Sequence, residues 1–413
     1  MKIHDTKTPV VVINCKLAAL GIMRSLGGQD IPVYGVDPDR WSPGMASRFC
    51  RGRIITSLDD ENRKELLRRL LETGKRIGRP SILISTSDET SVFVADNAKA
   101  LKKYFLFPEN SPSLVKSLMS KKEMYHLAKK HNVPTAYTEF PESYKDAEAF
   151  SEKASFPVMI KGILGNRLQA KTGKKMVIVS TSEELLKNYR LLEDPELPNL
   201  MLQEYIPGED DQIYIFNGYF NKRSECLAAF TGHKIRQFPI HTGCASLGIC
   251  KWNETVADMT VRFMKAVRYK GILDIGYRFD ARDGLYKVLD INPRIGQAFR
   301  LFLSDDGMDV ARAMYLDLTG QEVSPSSPRE GRKWLIEDYD LISSYHYFKE
   351  GRLGFSEWIK SFKRVEEGAW FSATDPLPFL MMSSKLIKRT ISWSRKRVNF
   401  QAHREASPRP ANG

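Results

Sequence analysis

The stretch that most constrains this chain runs from Asp274 to Arg294. It reads Asp274-Ile-Gly-Tyr-Arg-Phe-Asp280, Ala-Arg-Asp-Gly284, then Leu285-Tyr-Lys-Val-Leu-Asp290-Ile-Asn292-Pro-Arg294. The pattern is that of two short strands joined by a tight turn at Asp283-Gly284, since Asp-Gly suits the positive-φ positions of a hairpin. On the second strand Asp290 and Asn292 stand two apart and project from one face. A carboxylate beside a side-chain amide offers hard oxygen ligands, of the kind Mg²⁺ takes when phosphate oxygens complete its shell. Arg294 follows at the strand end, where a guanidinium can grip a phosphate or carboxylate in bidentate fashion. On these residues alone, a plain hairpin ending in an Asn-Pro turn is an equal reading.

The segment resembles the metal-binding end of the ATP-grasp fold, whose members carry an acidic residue and then Asn-Pro-Arg at this point. The resemblance covers roughly Val10 to Gly320 and is most specific from Lys121 onward. It implies further nucleotide contacts upstream in a fixed order, and each has a counterpart. Lys121, with Lys122 as the alternative, and Lys161, at the end of the strand Phe156-Pro-Val-Met-Ile160, match the two lysines that hold the nucleotide phosphates. The glycine-containing loop Gly162 to Lys175, including Lys174, holds the position of the mobile lid, with backbone N–H groups near Gly165 and Gly173 as the cradle. Gln203, Glu204, Tyr205 and Ile206 match the adenine-binding segment. After the Pro207-Gly208 turn, Asp211 fits the ribose contact, with Glu209 and Asp210 as alternatives.

Lys234 and Arg236 are expected to share a strand face and match the basic residues near the transferred phosphate or the carboxylate substrate. Thr242 to Ser246 resembles the small-residue loop near the acceptor, and Arg294 and Arg300 add guanidiniums. The resemblance places a further metal-ligating acid four residues before Asp280, where this chain has Gly276. Asp274 or Asp280 is left to substitute from the same side. Asp280 is favoured, because it adjoins the turn and can swing toward Asp290.

The rest of the chain agrees with this reading. Strand Val10–Ile13, helix Leu17–Leu26, strand Ile31–Val36, a leucine-spaced helix around Leu66 to Leu71 and strand Ser81–Ile84 alternate as in a parallel α/β sheet. No G-x-G-x-x-G follows the first strand, which speaks against a dinucleotide-binding domain. Ser120-Lys-Lys-Glu123 reads as a capping box. The expected fold is an N-terminal parallel α/β pre-ATP-grasp domain (1–115) and a two-lobed α+β ATP-grasp core (116–322), its lid lobe near 135–200 and its metal-binding lobe near 201–322. An aromatic-rich extension and a basic tail (323–413) follow.

With 413 residues, 42% of them hydrophobic, the chain can build more than one core. Five cysteines without a C-x-x-C pair fit a reduced, cytoplasmic setting. The net charge of +13 raises nucleic acid as a partner. More than half of the excess lies in the tail, where Lys385, Lys388, Arg389, Arg395, Lys396, Arg397, Arg404 and Arg409 face only Glu405. The aromatics are not interleaved with a basic stripe, so nucleic acid is disfavoured. Phe379-Leu-Met-Met382 and the basic run offer peripheral contact with the inner face of an anionic membrane, against the favoured reading of a solvated tail.

The resemblance implies ATP and Mg²⁺, or Mn²⁺ in its place, with a carboxylate and an amine as small-molecule partners. A homodimer is among the assemblies it allows. The implied function is a carboxylate–amine ligase similar to D-aspartate-ligase-like and carbamoyl-phosphate-synthase-like ATP-grasp proteins. An ATP-grasp carboxylase or kinase and a non-catalytic nucleotide-binding adaptor at a membrane are the alternatives.

Overall fold

The computed structural model describes residues 2–163, 168, 173, 176–194 and 198–387. Three sheets organise them. The first is parallel, made of β1 (Val10–Ile13), β2 (Val33–Asp37), β3 (Cys50–Ile55), β4 (Ser81–Ser85) and β5 (Phe105–Leu106) in the order β3-β2-β1-β4-β5. Its central strand β1 is buried on both faces, which is why Val10–Ile13 reads as an unbroken apolar run rather than an alternating one.

The second sheet holds β6 (Thr138–Glu139), β7 (Val158–Gly162), β8 (Met176–Val179) and β9 (Leu200–Glu204), ordered β6-β9-β7-β8. The third has seven strands: β10 (Ile213–Phe220), β11 (Cys226–Phe238), β12 (Cys244–Cys250), β13 (Gly271–Asp280), β14 (Leu285–Asn292), β15 (Lys333–Leu335) and β16 (Val365–Gly368). Their order is β14-β13-β10-β11-β12-β15-β16. As expected, an N-terminal parallel α/β sheet is followed by a core built on two further sheets. The expected hairpin is β13–β14, longer than two short strands, with Gly284 at φ +72° in its turn.

One apolar cluster ties the first sheet to the third. It joins Val10, Val12, Met23 and Ile82 to Ile215, Tyr219, Phe230, Phe299, Phe302 and Met314, and it includes Trp334 and Ile336 from beyond residue 322. A second cluster lies between the helix Glu254–Ala266 and strands β10, β13 and β14. Polar ties reinforce the first contact. Asp309 caps the helix Val310–Leu318 by accepting from the N–H groups of Ala311 and Arg312, accepts from Ser25 Oγ at 2.6 Å, and pairs with Arg300 at 2.6 Å. Arg300 also makes a fork with Glu367 on β16. It is therefore a buried tie within the fold and not a further guanidinium for the acceptor. Ser120 caps the helix Lys121–Lys130 by accepting from Glu123 N–H.

The segment after residue 322 is woven into this core. β15 pairs antiparallel with β12, and β16 pairs parallel with β15. The helix Glu337–Lys349 then brings Asp340 to Arg236 on β11 in a bidentate pair at 2.8 and 2.8 Å, with both side chains at most 4% exposed. The basic tail beyond residue 387 lies outside the described residues, and no described helix is long and apolar enough to cross a membrane. Because a buried charge stripped of its partner is strongly penalised, Asp340→Ala should lower stability by about 3–5 kcal/mol. Urea unfolding measures this; a loss below about 1 kcal/mol, as for exposed ion pairs, would contradict it.

Candidate functional site

Strand register sets the acidic corner. Asn292 lies opposite Asp274, and Asp290 lies opposite Gly276. The Asn292 side-chain N–H₂ donates to Asp290 Oδ2 at 3.0 Å and approaches Asp274 Oδ1 at 3.5 Å. Two glycines make room for the carboxylates: a Cβ on Gly276 would run into Asp290 Oδ1, and one on Gly296 into the Asp274 carboxylate. This explains why the position expected to hold a ligating acid is Gly276. Burial and the neighbouring Asp290 push Asp274 up to about 6.

Asp280 does not join this corner. It sits at the turn end, opposite Leu285, with a bulge in the ladder after Gly276 intervening. Its fully buried carboxylate accepts from Arg282 Nε and Nη2 and from Lys287 Nζ at 2.7 Å, which holds it well below the usual carboxylate range. The expectation that Asp280 swings toward Asp290 is corrected: Lys287 and Arg282 already neutralise it. The acids that meet are Asp274 and Asp290, with Asn292.

The cations come from three other elements. Lys161, next to last in β7, donates to Gln203 Oε1 at 2.9 Å, and is pushed down to about 8 by burial and by Lys121, against the pull of Asp290. Gln203 in turn donates to Thr138 Oγ1 at 2.8 Å, which fixes its amide. Lys121, in the first turn of its helix, donates to the Gly162 carbonyl at 3.0 Å, whereas Lys122 turns to Glu142 and Phe140. The lysine brought to the cleft is therefore Lys121. Lys234 on β11 donates to Gln237 Oε1 at 3.1 Å and the Gly243 carbonyl at 2.7 Å. Burial lowers its pKa while Asp290 and Asp274 oppose the shift. Arg294 pairs with Asp88 at 2.5 Å and donates to Asn292 Oδ1 at 3.2 Å, so it joins the hairpin end to the start of the helix Asp88–Asp96. A cavity of about 70 Å³ beside it is lined by Ser85, Ser91, Asn110 and Tyr269 among others.

Arg236 also departs from expectation. A ladder irregularity between Lys234 and Arg236 breaks the two-residue alternation, so the pair does not share a face. Lys234 faces the acids, whereas Arg236 turns to Asp340 and donates to Ser361 Oγ at 2.8 Å. It holds the fold together and is not a group at the reacting centre.

On the adenine side, Ile206 is buried and the Tyr205 ring lies 5.7 Å from the Arg278 guanidinium. Glu204 accepts from Ser155 N–H at 2.8 Å. Of the three acids after Gly208, Glu209 is paired with Arg352, and Asp210 accepts from Gln237 Nε2 at 2.7 Å and from the Tyr347 hydroxyl. Asp211 is exposed. Lys174 and most of the loop between β7 and β8 lie outside the described residues. Sequence reasoning missed Gln237 and Tyr347. The Gln237 signal was its position beside Lys234 and Arg236; nothing local marked Tyr347.

Among the described residues no group of three or more His, Cys, Asp or Glu stands together. Two carboxylates and an amide nonetheless suit Mg²⁺, which takes one or two protein carboxylates and completes its shell with phosphate oxygens and water. The glycine-cleared space at Gly276 and Gly296 fits that use.

No protein-family model matches the chain. It is 23% identical to D-aspartate ligase of Enterococcus faecium over 69% of this chain and 74% of that protein. It is 22% identical to the C-terminal section of the carbamoyl phosphate synthase large chain of Methanocaldococcus jannaschii, over 65% of this chain and 41% of that protein. Among solved structures, N5-carboxyaminoimidazole synthetase from Staphylococcus aureus complexed with ADP superposes with a TM-score of 0.61 at 12% identity, over 81% of this chain and 82% of that one. The biotin carboxylase domain of Hydrogenobacter thermophilus 2-oxoglutarate carboxylase, complexed with MgADP and bicarbonate, gives 0.58 at 15% identity, over 80% and 74%. With the three-sheet architecture and the β13–β14 acidic hairpin facing Lys161 and Lys234, these likenesses show that the chain has the ATP-grasp fold.

Proposed function

We propose that this chain is an ATP-grasp ligase that uses ATP and Mg²⁺ to activate a carboxylate as an acyl phosphate for attack by an amine. The observation that carries the reading is the convergence of Asp274, Asp290 and Asn292 with Lys161 and Lys234, whose ammoniums both sense Asp290. Such a corner, acidic at its centre and basic around it, suits anions together with a divalent cation. That suits phosphoryl transfer, where positioning and charge neutralisation do most of the work.

In this reading Lys121 and Lys161 bind the phosphates, Glu204 to Ile206 line the adenine slot, and Asp211 accepts from the ribose. Asp274, Asp290 and Asn292 would hold Mg²⁺, which supplies neutralisation of phosphate charge. Lys234 stabilises the γ-phosphoryl group as a carboxylate oxygen attacks phosphorus and ADP leaves. Arg294 orients the carboxylate substrate. The amine nitrogen then attacks the acyl carbon, phosphate departs with the bonding pair, and the nitrogen gives up its proton. ADP release measured with a panel of amino acids, acidic sugars and amines tests the reading. ADP formed only with bicarbonate or a hydroxyl acceptor, without a C–N product, would replace it with a carboxylase or kinase.

Two further outcomes are expected. Lys161→Ala should weaken ATP binding at least tenfold, about 1.5–3 kcal/mol for a charged contact. The phosphates select the ammonium form of Lys161, so affinity should hold below about pH 8 and fall as pH rises through it. Lys161→Arg, charged throughout, should flatten that fall. Calorimetric titration between neutral and alkaline pH checks both, and unchanged affinity in Lys161→Ala removes the residue from the site.

At the metal corner, Asp290→Ala, Asn292→Ala and Asp274→Asn should each abolish Mg²⁺-dependent ADP release. Asp280→Asn should leave the Mg²⁺ requirement where it was, whatever it does to stability. A Mg²⁺ titration of ADP release in the four variants decides. A shifted requirement in Asp280→Asn together with a normal one in Asp274→Asn would reverse the assignment.

A further inference from the structure

We propose that the helix Glu337–Lys349, outside the strands of the nucleotide cleft, belongs to the phosphate-handling machinery and positions Lys234 through Tyr347, Asp210 and Gln237. This rests on the function proposed above. The contacts form a continuous chain. Tyr347 Oη donates to Asp210 Oδ2, Gln237 Nε2 donates to Asp210 Oδ1 at 2.7 Å, and Lys234 Nζ donates to Gln237 Oε1 at 3.1 Å.

Polarity runs one way along it. An ionised carboxylate only accepts, so Asp210 requires the N–H₂ end of Gln237 and thereby turns the amide oxygen toward Lys234. With the Gly243 carbonyl at 2.7 Å, that oxygen occupies two of the three ammonium donors and leaves one for a ligand. A lysine has a flexible four-carbon stem, so its charge is placed only if something places it. Burial and Asp210 raise the Tyr347 phenol far above its ordinary range, which keeps it a donor.

The helix that carries Tyr347 is itself anchored. Asp340 holds Arg236 in a buried fork and accepts from Ser246 Oγ at 3.2 Å. Arg352 reaches Glu209, and Glu350 meets His241 at 2.9 Å. Two consecutive acids beside the cleft are thus held by residues that come from beyond residue 322.

A merely structural tyrosine would act independently of Lys234, and a positioning one would not. The experiment is a double-mutant cycle with Tyr347→Phe, Lys234→Ala and the double variant in the full chain, following ADP release and the affinity for Mg·AMP-PNP. In the Lys234 background Tyr347→Phe should lower kcat about tenfold, the scale of a hydrogen bond to a charged group, and leave the KM for ATP within about twofold. In the Lys234→Ala background the same change should cost less than about twofold. An equal loss in both backgrounds, or none in the first, overturns the proposal. If Tyr347→Phe does not fold, Asp210→Asn replaces it in the same cycle with the same expected outcome. Wild-type protein that neither binds Mg·AMP-PNP nor releases ADP would sink the functional reading; an active wild type with additive losses sinks only the positioning role.

Discussion

Two carboxylates in one cleft, Asp274 and Asp290, set the terms for the surrounding structure. Burial, and after it the Asp290 carboxylate, raise the cost of ionising Asp274 and push its pKa up to about 6. Such a pair persists only where cations or hydrogen-bond donors answer it. Lys161, Lys234 and Arg294 stand around it from three different elements, and the Asn292 amide sits between the two acids. Backbone had to yield space as well, at Gly276 and Gly296. A corner that is acidic at its centre and basic at its rim suits a divalent cation bridged to phosphates better than either ligand alone.

Much of this was legible in the residues. The Asp-Gly turn and the Asp290/Asn292 spacing located the hairpin because both are local: turn chemistry and a period of two need only neighbours in sequence. Helices were legible for the same reason. The central strands were harder. In β10 every residue but one is buried, so no alternation separates it from any other apolar run. β15 and β16 span three and four residues, too few for a period to show, and owe their place to partners about 85 residues or more away in β12 or to each other.

The misreadings of Asp280 and Arg236 share one cause. Counting by two along a strand assumes an unbroken ladder, and irregularities after Gly276 and after Lys234 break it where the site is built. Bulges re-aim side chains beside functional sites, so the simple rule fails where it matters most. For Asp280 the deciding neighbour was Lys287, seven residues on across the turn; for Arg236 it was Asp340, over a hundred residues downstream. Local spacing carries no information about the second kind of partner.

That division also explains which cations serve which end. Arg236, Arg300, Arg332 and Arg24 each meet carboxylates in the interior, and Arg236 and Arg300 do so as two-pronged forks. A guanidinium is weakly hydrated and planar, so it can be buried against a carboxylate with its donors satisfied. Such a group is locked and poorly suited to following a phosphoryl group from one oxygen to another. An ammonium is a compact point charge on a flexible stem, strongly hydrated and easily perturbed by burial. Lys161 and Lys234 show the perturbation, both lowered by the desolvation of the cleft they face. The arginines therefore stitch the C-terminal segment onto the core, and the lysines are left to meet a mobile anion. Lys234 then depends on that stitching, because the helix Arg236 anchors through Asp340 is the one that carries Tyr347 to Asp210.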